Sequence, residues 1–300
     1  MTESVHDNGD TVEVREGRVA NVGNLGVVRV LPTKGRRTVG AWCFVDMMLP
    51  GDALDPDPME IGPHPHIGLA TVTWLLRGEA VHSDSLGTEQ LIRAGQLNLM
   101  TSGHGVAHAE LGLEPGVLGL QMWIAQPEET RHGESAFEHH DDLPTKDLGN
   151  GQATVILGNL DGTTSPARMD TRLVGADLFL EEGEVTIAAD TGFEYGLIPV
   201  EGRVKINGAV VEPGYLGLIP PGGETLRLET EAAGTRAMLI GGEPFGTRIQ
   251  MWWNFVARSR DELTQAWRDW DRGDTGRFPE FSSSLDRIEA PRPVWVGEDA

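Results

Sequence analysis

The chain has 300 residues, 39% of them hydrophobic, and its 46 acidic against 24 basic side chains give a formal net charge of −22. Such a length suffices for one large domain or two modest ones, each with its own core. The acidity keeps the chain soluble and argues against direct nucleic-acid binding, which requires clustered Lys and Arg on the phosphates. No apolar run reaches the roughly 18 residues of a membrane span, and the polar start MTESVHDNGD lacks the order of a signal peptide. With a single cysteine, Cys43, set in an apolar run, the chain is expected in a reducing cytoplasm.

In chain order, Thr11–Arg15 alternates in polarity, and Val27–Leu31, Thr38–Asp46, Leu69–Arg77 and Val117–Ala125 are apolar or β-branched runs bounded by Gly, Pro or Asp. These predict short strands. Asn207-Gly208, between Lys205-Ile206 and Ala209-Val210, predicts a two-residue hairpin. One helix is predicted, opened by the capping box Ser259-Arg-Asp-Glu262, carrying Leu263, Trp267 and Trp270 at helical spacing and stopped at Gly273. Its tryptophans are expected to pack against the strands. The 39 glycines and 18 prolines suggest many turns, and the regular strand spacing favours a β-sandwich or barrel.

A weak internal repeat follows the glycines: Gly78, Ala94-Gly95 and Gly103 in the first half, Gly202, Pro213-Gly214 and Gly222 in the second. Loop-like sequence at His139-His140-Asp141-Asp142 and Gly149-Asn150-Gly151 suggests a boundary near 135–150.

Five of the nine histidines, His64, His66, His82, His104 and His108, fall between Ile61 and Glu110, and none follows His140. On a strand, residues two apart share a face. His64 with His66, and His108 with Glu110, could therefore present three imidazole nitrogens and one carboxylate to a first-row metal ion, with coordination positions left open for chemistry. Carried across the repeat, the histidine pair falls near Ala188 and Asp190, and His108 near Arg227, so the second copy lacks the donors. His82 has no spacing-matched partner and is expected to be a hydrogen-bonded strand-end histidine.

The stretch from Gly62-Pro-His-Pro-His-Ile-Gly-Leu-Ala-Thr-Val-Thr-Trp74, through His82-Ser-Asp-Ser-Leu-Gly87, to Met100-Thr-Ser-Gly-His-Gly-Val-Ala-His-Ala-Glu110 resembles the pirin family, bicupins of the cupin superfamily. The resemblance is dense over residues 40–130 and looser through Gly241-Gly-Glu-Pro244 to the terminal helix. It implies an all-β bicupin: two stacked antiparallel β-barrels (double-stranded β-helices) with a C-terminal α-helix. Residues 1–140 would form the metal-binding domain, and 141–300 a metal-free one carrying the helix. It implies one divalent ion, Fe(II) before Mn, Ni, Co, Cu or Zn, held by His64, His66, His108 and Glu110.

Two departures from relatives stand out. His104 replaces the Arg many pirins carry in the Gly-x-Gly turn, and the general cupin Glu shortly after His-x-His is absent from Gly68-Leu69-Ala70-Thr71.

The resemblance further implies a dioxygenase acting on quercetin or another flavonol, with Glu110 as proton acceptor. Of the residues beside it, His104, Trp74 and Met100 are candidates for the substrate pocket, with His104 alternatively a mere turn residue. Leu97, Leu99, Met122 and Trp123 could complete a dry wall, although most of these apolar residues are expected in the core. The alternative it carries is a redox-sensing regulator that binds a transcription factor or metabolic enzyme, for which the acidic surface suits a basic protein better than DNA.

Overall fold

A computed structural model describes residues 3–7, 10–48 and 57–297. Apart from one helix, Arg260–Asp271, the regular elements among these residues are strands, and the sheets are antiparallel. No helix among them is long and apolar enough to cross a membrane.

The chain groups into two compact units, one of residues 1–20, 27–47 and 140–245, the other of 21–26, 48–139 and 246–300. This grouping differs from the contiguous division 1–140 and 141–300, because the ends of the chain cross it. The Asp10–Glu16 strand pairs with Tyr215–Ile219, which joins the N-terminus to the later strands. The terminal helix packs in the other unit, against Ile67 and Ala107.

In the first unit, one sheet runs Glu3–Asp7, Asp10–Glu16, Tyr215–Ile219, Glu194–Glu201, Thr235–Gly242, Leu173–Leu180, Gly151–Leu160, Thr145–Asp147. A second, four-stranded sheet runs Gly183–Ala188, Thr225–Thr230, Val204–Ile206, Ala209–Val211. Burial alternates along Gly183–Ala188 and Thr225–Thr230, so Val185, Ile187, Leu226 and Leu228 face inward and join Leu178, Leu197 and Leu239 in one core. Asn207 and Gly208 have φ of 43° and 87°, the paired positive values of a type I′ hairpin.

In the second unit, Ala136–His140, Leu97–Thr101, Leu69–Arg77 and Leu118–Ala125 are consecutive strands of a seven-stranded sheet. Glu60–His66, Val106–Gly112, Glu79–Asp84, Glu89–Arg93 form a four-stranded sheet whose strand order repeats that of its counterpart in the first unit. The glycine repeat is thus a structural one. Gly78 and Gly202 both turn with positive φ, 85° and 72°, a conformation that favours glycine.

The expected strand over Thr38–Asp46 starts only at Trp42 and runs to Met48, because Gly40 turns with φ 54° while Val39 and Trp42 exchange backbone hydrogen bonds. His139 and His140, expected in a loop, end the Ala136–His140 strand. Cys43 is buried.

A short hairpin, Gln250–Trp252 with Phe255–Ala257, precedes the helix. The Ser259 hydroxyl accepts from the Glu262 N–H at 3.2 Å, and Gly273 at φ 67° follows the Arg272 cap. Trp267 and Trp270 are buried against Ile67, Ala107, Phe255 and Phe278. Truncating such a tryptophan costs about 3–5 kcal/mol.

Candidate metal centre

The strands Glu60–His66 and Val106–Gly112 pair with His64 opposite His108, and a register shift falls between His108 and Glu110. Strand alternation, with His64 paired to His108, puts His64, His66, His108 and Glu110 on one face of this sheet. The donor atoms of His64, His66 and His108 lie within 4.8 Å of one another, as do those of a second trio, His82, His108 and Glu110. The structure therefore gathers the three expected histidines and sets Glu110 beside them through His108. It adds His82, whose ring lies 5.1 Å from that of His108.

Each ring is held by its outer nitrogen. His64 Nδ1 donates to the Gly62 carbonyl at 2.8 Å and His66 Nδ1 to the Asn254 carbonyl at 3.1 Å. His108 Nδ1 lies 3.3 Å from His82 Nδ1. Burial is the main cause that pushes the His64 pKa down to about 4 and those of His66 and His108 well below the usual imidazole value. Neutral His64 and His66 rings, with Nδ1 protonated, turn bare Nε2 lone pairs inward.

His66 Nε2 and His108 Nε2 face each other at 3.1 Å. Two nitrogens at that distance either share a proton or hold a cation between them. Two nitrogens about 2.1 Å from one ion at a right angle sit about 3.0 Å apart, so the pair fits a divalent first-row ion.

Burial raises the Glu110 pKa, partly countered by the nearby His82 and the Thr73 hydroxyl. Thr73 Oγ1 lies 3.0 Å from Glu110 Oε1 and 2.8 Å from Gln121 Oε1. A hydroxyl carries one proton, so Thr73 serves one of these acceptors at a time.

The residues expected around a substrate divide by face. Register places Met100 and Trp123 opposite Thr71, on the face of Thr73, and the Trp123 ring lies 5.3 Å from His66. Trp74, Leu97, Leu99 and Met122 occupy the other face and pack away from the ligands. His104 is exposed; its N–H donates to the Gly133 carbonyl at 2.9 Å and its own carbonyl accepts from Arg277 at 3.1 Å. It is a turn residue here.

Sequence reasoning did not find Thr73 or the Asn254 carbonyl. It placed His82 as a hydrogen-bonded strand histidine without its link to His108. The spacing His82-x-Asp84 was the available signal for that link, because it puts imidazole and carboxylate on one strand face.

An antiparallel β chain with two matching cupin-type sheets, one of them carrying a buried histidine cluster suited to a divalent metal, defines a metal-binding bicupin. The pirin family model matches residues 24–124, and that of the pirin C-terminal cupin domain matches residues 176–278. The chain belongs to the pirin family of the cupin superfamily. It is 44% identical to a Pseudomonas aeruginosa protein named "Putative quercetin 2,3-dioxygenase", over 92% of this chain and 87% of that one. A pirin-like protein of Caulobacter vibrioides is 36% identical over 87% of this chain and 93% of its own. Among solved structures, one of a quercetin 2,3-dioxygenase from Acinetobacter baumannii superposes with a TM-score of 0.88 at 39% identity, covering 93% of this chain and 95% of that one.

Proposed function

We propose that this pirin is a mononuclear metal-dependent dioxygenase that opens the ring of a quercetin-type flavonol, with His64, His66, His108 and Glu110 as ligands. The observation that carries the reading is the pair of inward-facing Nε2 atoms of His66 and His108, 3.1 Å apart beside a buried carboxyl group. The quercetin 2,3-dioxygenase names of the relatives at 44% and 39% identity supply the substrate class. Imidazole with carboxylate suits Fe(II), Mn, Ni, Co, Cu or Zn, and the pirin resemblance puts Fe(II) first. A bound ion supplies Lewis acidity that lowers the pKa of a coordinated substrate oxygen.

The chain's own residues do the rest. Glu110, with its raised affinity for a proton, accepts the 3-hydroxyl proton of the flavonol at its carboxylate. Protonated, it donates to Thr73 Oγ1, and the Thr73 hydroxyl then donates to Gln121 Oε1, so the proton is held in a buried chain. Trp123 and Met100 present apolar surface on the same face and keep water from the flat ring.

Protein loaded anaerobically with iron is mixed with quercetin and dioxygen while flavonol absorbance and carbon monoxide are followed. Loss of the flavonol band with matching carbon monoxide release is expected. Absence of turnover with Fe, Mn, Ni, Co and Cu alike overturns the reading and leaves the protein-binding regulator in its place.

A further inference from the structure

Resting on the metal-centre reading, the geometry assigns Asp84 and His82 as positioning residues that fix the tautomer of His108 and so point its Nε2 lone pair at the ion. Neither residue is among the expected ligands. Register sets Asp84 opposite His108 and His82 opposite Glu110, on the strand next to the one that carries both.

With His82 neutral, proton counting along the chain leaves one arrangement. Asp84 Oδ1 accepts from the N–H groups of Leu86 at 2.9 Å and Thr88 at 3.0 Å. That anchors the carboxylate with Oδ2 turned to His82 Nε2, 3.0 Å away. A carboxylate only accepts, so His82 carries its proton on Nε2 and keeps a lone pair on Nδ1. That lone pair meets His108 Nδ1 at 3.3 Å, so His108 must donate there. A neutral His108 with its proton on Nδ1 has a bare Nε2, the atom that faces His66.

His82, Asp84 and His108 are each no more than 2% exposed, so water does not compete for these bonds. Phe137 stacks on the His82 ring at 4.5 Å and 27°, which holds its plane. Carboxylate partners of this kind orient histidine ligands and raise their basicity; here an intervening histidine extends the reach by one ring.

Asp84→Asn tests the assignment with little change of shape. The Leu86 and Thr88 N–H groups still need an acceptor, so the amide keeps its oxygen toward them and turns NH2 to His82. His82 must then accept at Nε2 and donate from Nδ1, which forces the His108 proton onto Nε2.

The measurement is long-range 1H–15N correlation on full-length, metal-free protein labelled at histidine. It should show His108 protonated at Nδ1 in the wild type and at Nε2 in Asp84→Asn. Zinc affinity, by competition with a chelator, should fall about 10–100-fold. His82→Phe, which retains the stack on Phe137 and removes both ring nitrogens, should lower zinc affinity, and adding Asp84→Asn to it should lower it no further.

A wild-type His108 protonated at Nε2, an unchanged tautomer in folded Asp84→Asn, or losses that add in the double variant would overturn the assignment. If Asp84→Asn does not fold, the wild-type tautomer and the zinc affinity of His82→Phe still decide it. The tautomer is read without metal, so a wild type that binds no zinc would sink the metal reading and leave this result standing.

Discussion

The two four-stranded sheets share a strand order and differ in what their inner faces hold. His64 pairs with His108 as Val185 pairs with Leu228, and that register carries His66 onto Ile187, Glu110 onto Thr230, His82 onto Val204 and Asp84 onto Ile206. One scaffold therefore gathers imidazoles and carboxyl groups in one copy, and aliphatic side chains with a single threonine, Thr230, in the other. Each fully buried aliphatic contributes about 1.5–3 kcal/mol, whereas buried imidazole and carboxyl must be hydrogen-bonded merely to break even. The second copy thus holds its sheet together without a donor set, and the histidine cluster of the first carries a stability cost.

The largest expected effect comes from making the metal copy resemble its counterpart. His66→Ile with His108→Leu should remove bound metal altogether, by elemental analysis, and raise the metal-free melting temperature by about 2–8 °C. A variant that retains metal would break the comparison. Glu110→Gln removes the carboxylate that the second copy lacks. Turnover should fall about 10²–10³-fold with a much smaller loss of metal content, and equal losses would deny Glu110 its proton.

Acidification should expose the cost directly. The folded His64 pKa of about 4 lies below the usual 6.5, so the unfolded chain binds the extra proton between those values. Stability of the metal-free protein is full above pH 6.5 and falls toward pH 4, by about 3 kcal/mol from His64 alone. His66 and His108 add to it in the same direction. Denaturant titrations against pH should show this slope flattened in His66→Ile/His108→Leu. Working in reverse, Leu228→His should destabilise by about 2–4 kcal/mol without creating a metal site, because Val185 and Ile187 offer no donors. The smallest change is Thr73→Val, which removes the hydroxyl beside Glu110. It should slow turnover about 3–10-fold and leave metal content unchanged.

Much of this was legible in the sequence, for reasons of period. The runs Leu69–Arg77 and Val117–Ala125, the Asn207-Gly208 turn and the Ser259 cap carry local signals, and the structure places elements there within a residue or two. The His-x-His and His-x-Glu spacings convert to shared faces because strands alternate. Long-range pairing was not legible. Nothing local to the N-terminus shows that Asp10–Glu16 pairs with Tyr215–Ile219, nor does any signal near the helix show that Trp267 packs on Ile67. The repeat aligned by glycines ran slightly out of register, since Ala188 and Arg227 are exposed while Val185, Ile187 and Leu228 face inward. Trp74 and Met100 both read as apolar wall; only the parity set by Thr73 meeting Glu110 separates them.

The bond from His66 Nδ1 to the Asn254 carbonyl spans 188 residues of sequence. That carbonyl sits in the tight turn of the Gln250–Trp252 and Phe255–Ala257 hairpin, where Trp253 adopts φ 51°. A ribosome making this chain delivers every imidazole long before it delivers the group that aims one of them. The nascent protein holds its histidine cluster early but cannot finish the alignment of His66 until the hairpin emerges and docks.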